Sequence, residues 1–297
     1  MTFRRSLSEK ALKRFQEERE FVEFLNAVKQ DPELAVELRG NHIDVYHAGF
    51  VVFSLGSSGR LQVGSPRSDK LNPAIKDWAA AVPTSLEELD VDDIPSYVEK
   101  VKEIRKHRVE SGMELGFELL VARANHHPDS KLLPLDRQIA KPGGGGNRMD
   151  LLMYDIHQER LVLTELKLAV NEELRKEVFD QIERYRNLFK EAPEIAVDYK
   201  NIFRQKRDLG LIEHDVASIR TESEPLLLLL VANYGHEVNK EKAVLSAALK
   251  NKPEHLEIHV RHWKGMPQEL SSYRFEHGVA QLPSFEDWAQ SLLRDQA

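Results

Sequence analysis

This 297-residue chain predicts an α/β fold, a mixed central sheet flanked by helices and preceded by a smaller α+β region. Three observations carry the prediction. Residues 148–157 (RMDLLMYDIH) and 160–170 (RLVLTELKLAV) are rich in Leu, Val, Ile and Met, with the polar Gln158 and Glu159 between them. That pattern describes two antiparallel strands joined by a tight turn. The run PLLLLLVAN, residues 225–233, is far too short to span a membrane and reads as a buried central strand. A helix-like segment carrying Gln181 and Tyr185 lies between the hairpin and that run.

In chain order, residues 6–30 are charged and helix-like. Residues 41–64 alternate and carry a Gly-Ser-Ser-Gly turn, which predicts two or three strands. Residues 65–83 read as mixed loop and short helix, and 85–108 as helix broken or started by Pro95. The expected organisation is an N-terminal α+β module over 1–109 and a second domain over 110–297 with a helical C-terminal extension. The four glycines of KPGGGGN (141–147) predict a turn between two strands. Residues 284–293 predict an amphipathic helix capped by Ser284, with Glu286 and Asp287 in its first turn.

Composition bounds the function. The chain carries 42 Lys and Arg against 49 Asp and Glu, a formal charge of -7, which gives no support for broad polyanion binding. Any such binding must concentrate positive charge locally. Cysteine is absent, which excludes disulfides, thiol chemistry and a cysteine-ligated cluster, and fits a cytoplasmic setting. The basic N-terminus has no apolar stretch of a secretory leader, and no membrane partner is expected.

The chemistry-bearing residues lie on the hairpin. Asp150 precedes Glu165-Leu166-Lys167 with the spacing Asp-x14-Glu-x-Lys. A two-residue loop at Gln158-Glu159 would put His157 opposite Arg160, Asp150 opposite Lys167 and Leu152 opposite Glu165. Side chains alternate across a strand, so Asp150, Glu165 and Lys167 would share one face, and a one-residue slip would separate them. Two carboxylates suit Mg2+, a hard ion that takes oxygen ligands. Such an ion polarises a phosphate and helps generate hydroxide, while a lysine orients water or offsets phosphate charge.

Asp150, Glu165-Leu166-Lys167 and the strand pattern around them resemble the PD-(D/E)xK nuclease superfamily. Gln181 and Tyr185 resemble the Gln-x-x-x-Tyr element of its RecB-type branch. The resemblance covers residues 110–262. It implies a restriction-endonuclease-like core in the order helix, three-stranded meander, helix, strand: 114–125, then 132–140 with the hairpin, then 171–190, then 225–234. It also implies a metal-dependent nuclease using Mg2+ or Mn2+. Asp150 and Glu165 would be metal ligands, and Lys167 would act on water or the transition state. Glu118 would be a further ligand from the first helix, with Glu114 as its alternative. Gln181 and Tyr185 would bind phosphate or position Glu165 or Lys167. DNA is the favoured substrate over RNA, in a repair, restriction or defence setting, with a homodimer or accessory protein as a further partner. The departure is that Arg148-Met149, not Pro-Asp, leads into Asp150. The alternative class is a non-catalytic nuclease-fold module that binds nucleic acid or protein.

Two basic clusters read as phosphate contacts or as solvated helix faces. One spans residues 200–207 with Phe203 inside it, and the other comprises Lys100, Lys102, Arg105, Lys106 and Arg108. His255, His259 and His262 alternate like strand residues and form no zinc-ligand spacing.

Overall fold

The computed structural model describes residues 5–47, 50–63, 83–105, 113–140, 148–233, 238–264 and 274–294. The glycine-rich 141–147, the segment 65–82, and Lys106 and Arg108 lie outside the described residues. The chain divides into two compact units. One comprises Arg4–Leu119 with Asn201–Ile212, and the other includes Leu120–Lys200 and Glu213–Ala297. The segment at 201–212 thus joins the N-terminal unit, although in sequence it lies far inside the second half.

In the first unit, α1 (Glu9–Glu17) and α2 (Arg19–Gln30) are separated by Glu18, whose extended backbone breaks the single helix-like run of the sequence. Ser8 caps α1 by accepting from Ala11 N–H. An antiparallel sheet follows in the order β1 (Leu34–Leu38), β2 (His42–His47), β3 (Phe50–Gly56) and β4 (Leu61–Val63). Phe24 of α2 packs edge-on to Phe53 of β3, which fixes the helix to the apolar face. The other face mixes a small apolar cluster of Ala35, Tyr46 and Leu119 with buried carboxylates. Glu37 of β1 lies directly opposite Asp44 of β2, and Ser54 of β3 opposite Asp44 on the other side. Two carboxylates facing each other repel. The repulsion is offset because Lys206 reaches Glu37 at 2.6 Å, while Ser54 and Tyr46 donate to Asp44. Later in the unit, α3 (Ile94–Arg105) begins with Pro95 in its first turn, where a missing N–H costs nothing.

Next in the chain comes α4 (Met113–Ala124), whose residues up to Leu119 belong to the first unit and those from Leu120 to the second. The second unit holds a mixed five-stranded sheet in the order β5-β6-β7-β8-β9. Its strands are β5 (Leu132–Ala140), β6 (Arg148–Asp155), β7 (Arg160–Leu168), β8 (Leu226–Asn233) and β9 (His259–Lys264). The first three pair antiparallel, and β7, β8 and β9 pair parallel. The leucine run of β8 lies between two strands and is buried on both faces, as a continuous apolar strand requires. Pro134 sits on the edge strand β5 beside a bulge, where its missing N–H is tolerated.

A short 3-10 turn (Glu172–Arg175) leads from β7 into α5 (Glu177–Glu191), which packs on β6 and β7. It is followed by α6 (Pro193–Asp208), α7 (Val238–Asn251) and α8 (Phe285–Arg294). Phe179 of α5 meets Phe285 of α8 edge-on. Ser284 caps α8 by accepting from Asp287 N–H at 3.1 Å. Asp155, fully buried at the end of β6, accepts from the N–H groups of His157, Gln158 and Val279. Gly278 beside it has φ +73°, and a Cβ there would lie 2.7 Å from the Asp155 carboxylate.

The hairpin differs from its sequence reading. Asp155 pairs with Arg160, so the loop is Ile156 to Glu159, four residues long, and the register is displaced by two. The Asp155 carboxylate supplies the reason, because it gathers the N–H groups of His157 and Gln158 and closes a longer turn. Glu159 completes that turn with φ 52°. An even displacement preserves the faces, so Asp150, Glu165 and Lys167 stay together, with Glu165 rather than Lys167 opposite Asp150.

Candidate active site

The site forms where β6 and β7 stop pairing. Their ladder ends at Leu151 opposite Thr164. One residue farther, the Asp150 carboxylate replaces the backbone ladder, and its Oδ2 accepts from Leu166 N–H at 2.8 Å. Beyond that point β7 continues against β8, with Glu165 opposite Leu229 and Lys167 opposite Val231. Asp150 is half-buried, while Glu165 and Lys167 are buried at 2% and 6% exposure.

Burying Glu165 and Lys167 on an apolar sheet beside Asp150 demands mutual compensation. Lys167 Nζ lies 2.9 Å from Glu165 Oε1 and 2.9 Å from Glu173 Oε2. Burial depresses the Lys167 ammonium, but Glu165, Asp150 and the bonds to Glu165 and Glu173 outweigh it and raise it above the ordinary lysine range. Glu173 comes from the 3-10 turn after β7, which Asn171 caps by accepting from Glu173 N–H at 2.9 Å.

Helix α5 supplies Gln181 and Tyr185, one turn apart on one face. The Tyr185 phenol is pushed up by burial and by the nearby Glu165 and Asp150 charges. Its hydroxyl is buried without a hydrogen-bond partner among the described residues, and so is Gln181 Oε1. Buried polar atoms are ordinarily satisfied, which sets these two apart from most buried polar atoms of the site.

Asp150, Glu165, Lys167 and Tyr185 are therefore gathered in one place, with Gln181 one turn from Tyr185. Glu118 is buried on α4 and the alternative Glu114 is half-buried there, both within the unit Arg4–Leu119. Two residues went unnoticed in the sequence. Glu173 shows no signal beyond a helix-start pattern after Asn171. Gln138 is only a polar letter in an apolar strand, yet its Nε2 lies 3.4 Å from Asp150 Oδ1.

The basic run on α6 divides between interior and surface, with Arg204 and Arg207 exposed. Phe203 and Lys206 are buried, Lys200 pairs with Glu222, and Arg204 pairs with Glu9. A buried ring cannot stack on a base. Of the histidines, His259 and His262 lie on β9 at odd spacing and face opposite ways, while His255 precedes the strand and meets Glu183 at 2.7 Å.

Asp150 and Glu165 offer the hard oxygen donors that a Mg2+ or Mn2+ ion takes, and the orphaned Tyr185 hydroxyl beside them fits a site that receives a further polar group. Among the described residues no three His, Asp or Glu side chains form a metal-holding group by themselves. Mg2+ typically binds one or two carboxylates and keeps several waters, so two donors are compatible with it. Compared with known proteins, the chain matches no family model, no curated protein and no solved structure.

Proposed function

We propose that this protein is a metal-dependent nuclease of the PD-(D/E)xK kind, hydrolysing phosphodiester bonds in DNA, with a restriction-endonuclease-like core. The observation that carries the reading is the convergence of Asp150, Glu165 and Lys167 on one sheet face where β6 and β7 part, with the unpartnered Tyr185 hydroxyl beside them. The element order α4, β5-β6-β7, α5, β8 also supports it.

Asp150 and Glu165 would hold Mg2+ or Mn2+, which when bound polarises a phosphate and acidifies water. Lys167 presents a charged donor to the phosphate oxygens as negative charge develops on them. Tyr185 and Gln181 provide polar atoms not used by the fold, suited to a phosphate oxygen or an ordered water. The buried strands around them keep bulk water from competing for these contacts.

A second reading has its own observation. Lys167 is bracketed by Glu165 and Glu173, which is also the geometry of a structural ion pair in a non-catalytic module. RNA in place of DNA is the nearest substrate variant.

Labelled single- and double-stranded DNA, linear and circular, and RNA are incubated with the protein and Mg2+, Mn2+ or EDTA, with Lys167→Ala alongside. Cleavage that needs the metal and disappears in Lys167→Ala supports the nuclease. Absence of both cleavage and metal binding in the wild type rejects it in favour of the structural pair.

A further inference from the structure

We propose that Gln138 is a positioning residue for Asp150, holding its carboxylate in the orientation needed to accept a divalent cation. The inference rests on the nuclease reading above and adds to it a residue on a different strand.

The placement follows from register. Arg137 pairs with Leu151 and Ile139 with Met149, so Gln138 lies directly across from Asp150. The bulge at Pro134 to Asp136 sets this alignment, because the extra residue Leu135 advances every later β5 residue by one position. Without it Gln138 would face the opposite side of the sheet.

The backbone is unusual at the same residue. Gln138 has φ 50°, and Glu159 in the hairpin loop is the only other non-glycine residue with positive φ among the described residues. A long side chain in the left-handed region is strained, and inside a strand no turn requires it. Strain of this kind persists where the surroundings enforce it, and it clusters at functional sites. Here it accompanies a contact with the site, since the Gln138 amide approaches Asp150 Oδ1.

Two donors from different strands orient the Asp150 carboxylate, Gln138 Nε2 toward Oδ1 and Leu166 N–H toward Oδ2. The amide orientation is set by chemistry, because only its NH2 end can face a carboxylate. Groups that orient a metal-binding carboxylate from behind govern affinity without touching the metal.

The test separates the amide from the backbone strain. Gln138→Met keeps the length and the strain but removes the donor. Gln138→Gly removes the donor and relieves the strain. Glu159→Gly relieves the other positive-φ position, away from the site, and serves as control. Mn2+ binding is measured by calorimetry, melting temperature by calorimetric scan, and cleavage by the assay above. Both Gln138 variants are expected to bind Mn2+ at least about tenfold more weakly than wild type, with cleavage falling in parallel at a fixed sub-saturating Mn2+ concentration. Gln138→Gly is expected to melt higher than Gln138→Met, and Glu159→Gly to bind Mn2+ as wild type does. Affinity within about twofold of wild type in both Gln138 variants overturns the proposal. So does affinity restored in Gln138→Gly but lost in Gln138→Met, since the strain and not the amide would then matter. A wild type that neither binds Mn2+ nor cleaves overturns the nuclease reading and this proposal with it. Wild-type binding with unaffected Gln138 variants overturns this proposal alone.

Discussion

Lys167 Nζ lies as close to Glu173 Oε2 as to Glu165 Oε1, 2.9 Å in each case. The ammonium is thus fixed from two directions, by a buried carboxylate on its own strand and by a 40% exposed one on the turn that follows. Removing the exposed partner should matter more for activity than for stability. Glu173→Ala is expected to lower the cleavage rate by roughly threefold to tenfold at unchanged KM, because the ammonium loses one of its anchors. Glu173→Gln keeps an acceptor and should restore most of the rate. Stability should change by less than about 1 kcal/mol, the usual worth of a partly exposed pair. Steady-state kinetics and urea denaturation measure the two effects, and unchanged kinetics in Glu173→Ala would remove Glu173 from the site.

Tyr185 offers the opposite contrast. Its hydroxyl is buried and has no hydrogen-bond partner among the described residues, so removing it breaks no hydrogen bond there. Tyr185→Phe should leave stability unchanged or raise it by up to about 1 kcal/mol. Cleavage should fall by about tenfold or more if the hydroxyl serves the phosphate or an ordered water, as for a single hydrogen-bond donor at a reacting centre. A variant that melts lower and cleaves normally would show the hydroxyl to be structural.

His262 is expected to give stability a pH dependence. It lies on β9 with its side chain 9% exposed, its ring packs against Trp288 at 5.4 Å, and Glu241 is 3.9 Å away, beyond hydrogen-bond reach. Burial first, and Lys264 second, lower its pKa from 6.5 to about 4. The unfolded chain therefore binds a proton between these values that the folded chain refuses. Stability is full above the unfolded value and declines as pH falls from 6.5 toward 4, by roughly 3 kcal/mol for this group alone. His262→Phe should flatten that slope. Urea midpoints at pH 7 and pH 5 test it, and an equal slope in both proteins would refute the assignment.

The Lys206–Glu37 pair should dominate the stability of the N-terminal unit. The two groups are 1% and 2% exposed and 2.6 Å apart. Lys206→Met leaves a carboxylate buried beside Asp44 and is expected to cost about 3–5 kcal/mol. Adding Glu37→Leu should recover most of that loss, since the orphaned charge goes too. A double-mutant cycle in urea measures the coupling, and additive losses would contradict it.

Much of the second unit was legible because its signals are local. The hairpin strands, the leucine run of β8 and the Ser284 cap follow from alternation, apolar length and one hydroxyl. The shared face of Asp150, Glu165 and Lys167 was legible too, and it survived a register error because the error was even. Element β1 carried no comparable signal: Leu-Ala-Val-Glu-Leu suits a helix as readily as a strand, and pairing with β2 decides it.

What the sequence determined by itself is the alternation that gives the sheet its face, the caps, and the identity of the charged triad. Only the tertiary structure decided which partner each charge has. Lys206 became a buried counter-ion instead of a phosphate contact, Glu173 reached Lys167, and a bulge in β5 brought Gln138 across from Asp150. The physical reason is range. Periodicity and capping act within a turn or a strand, whereas charge pairing and register depend on groups distant in the chain, whose meeting is settled only when the sheet closes and water is expelled.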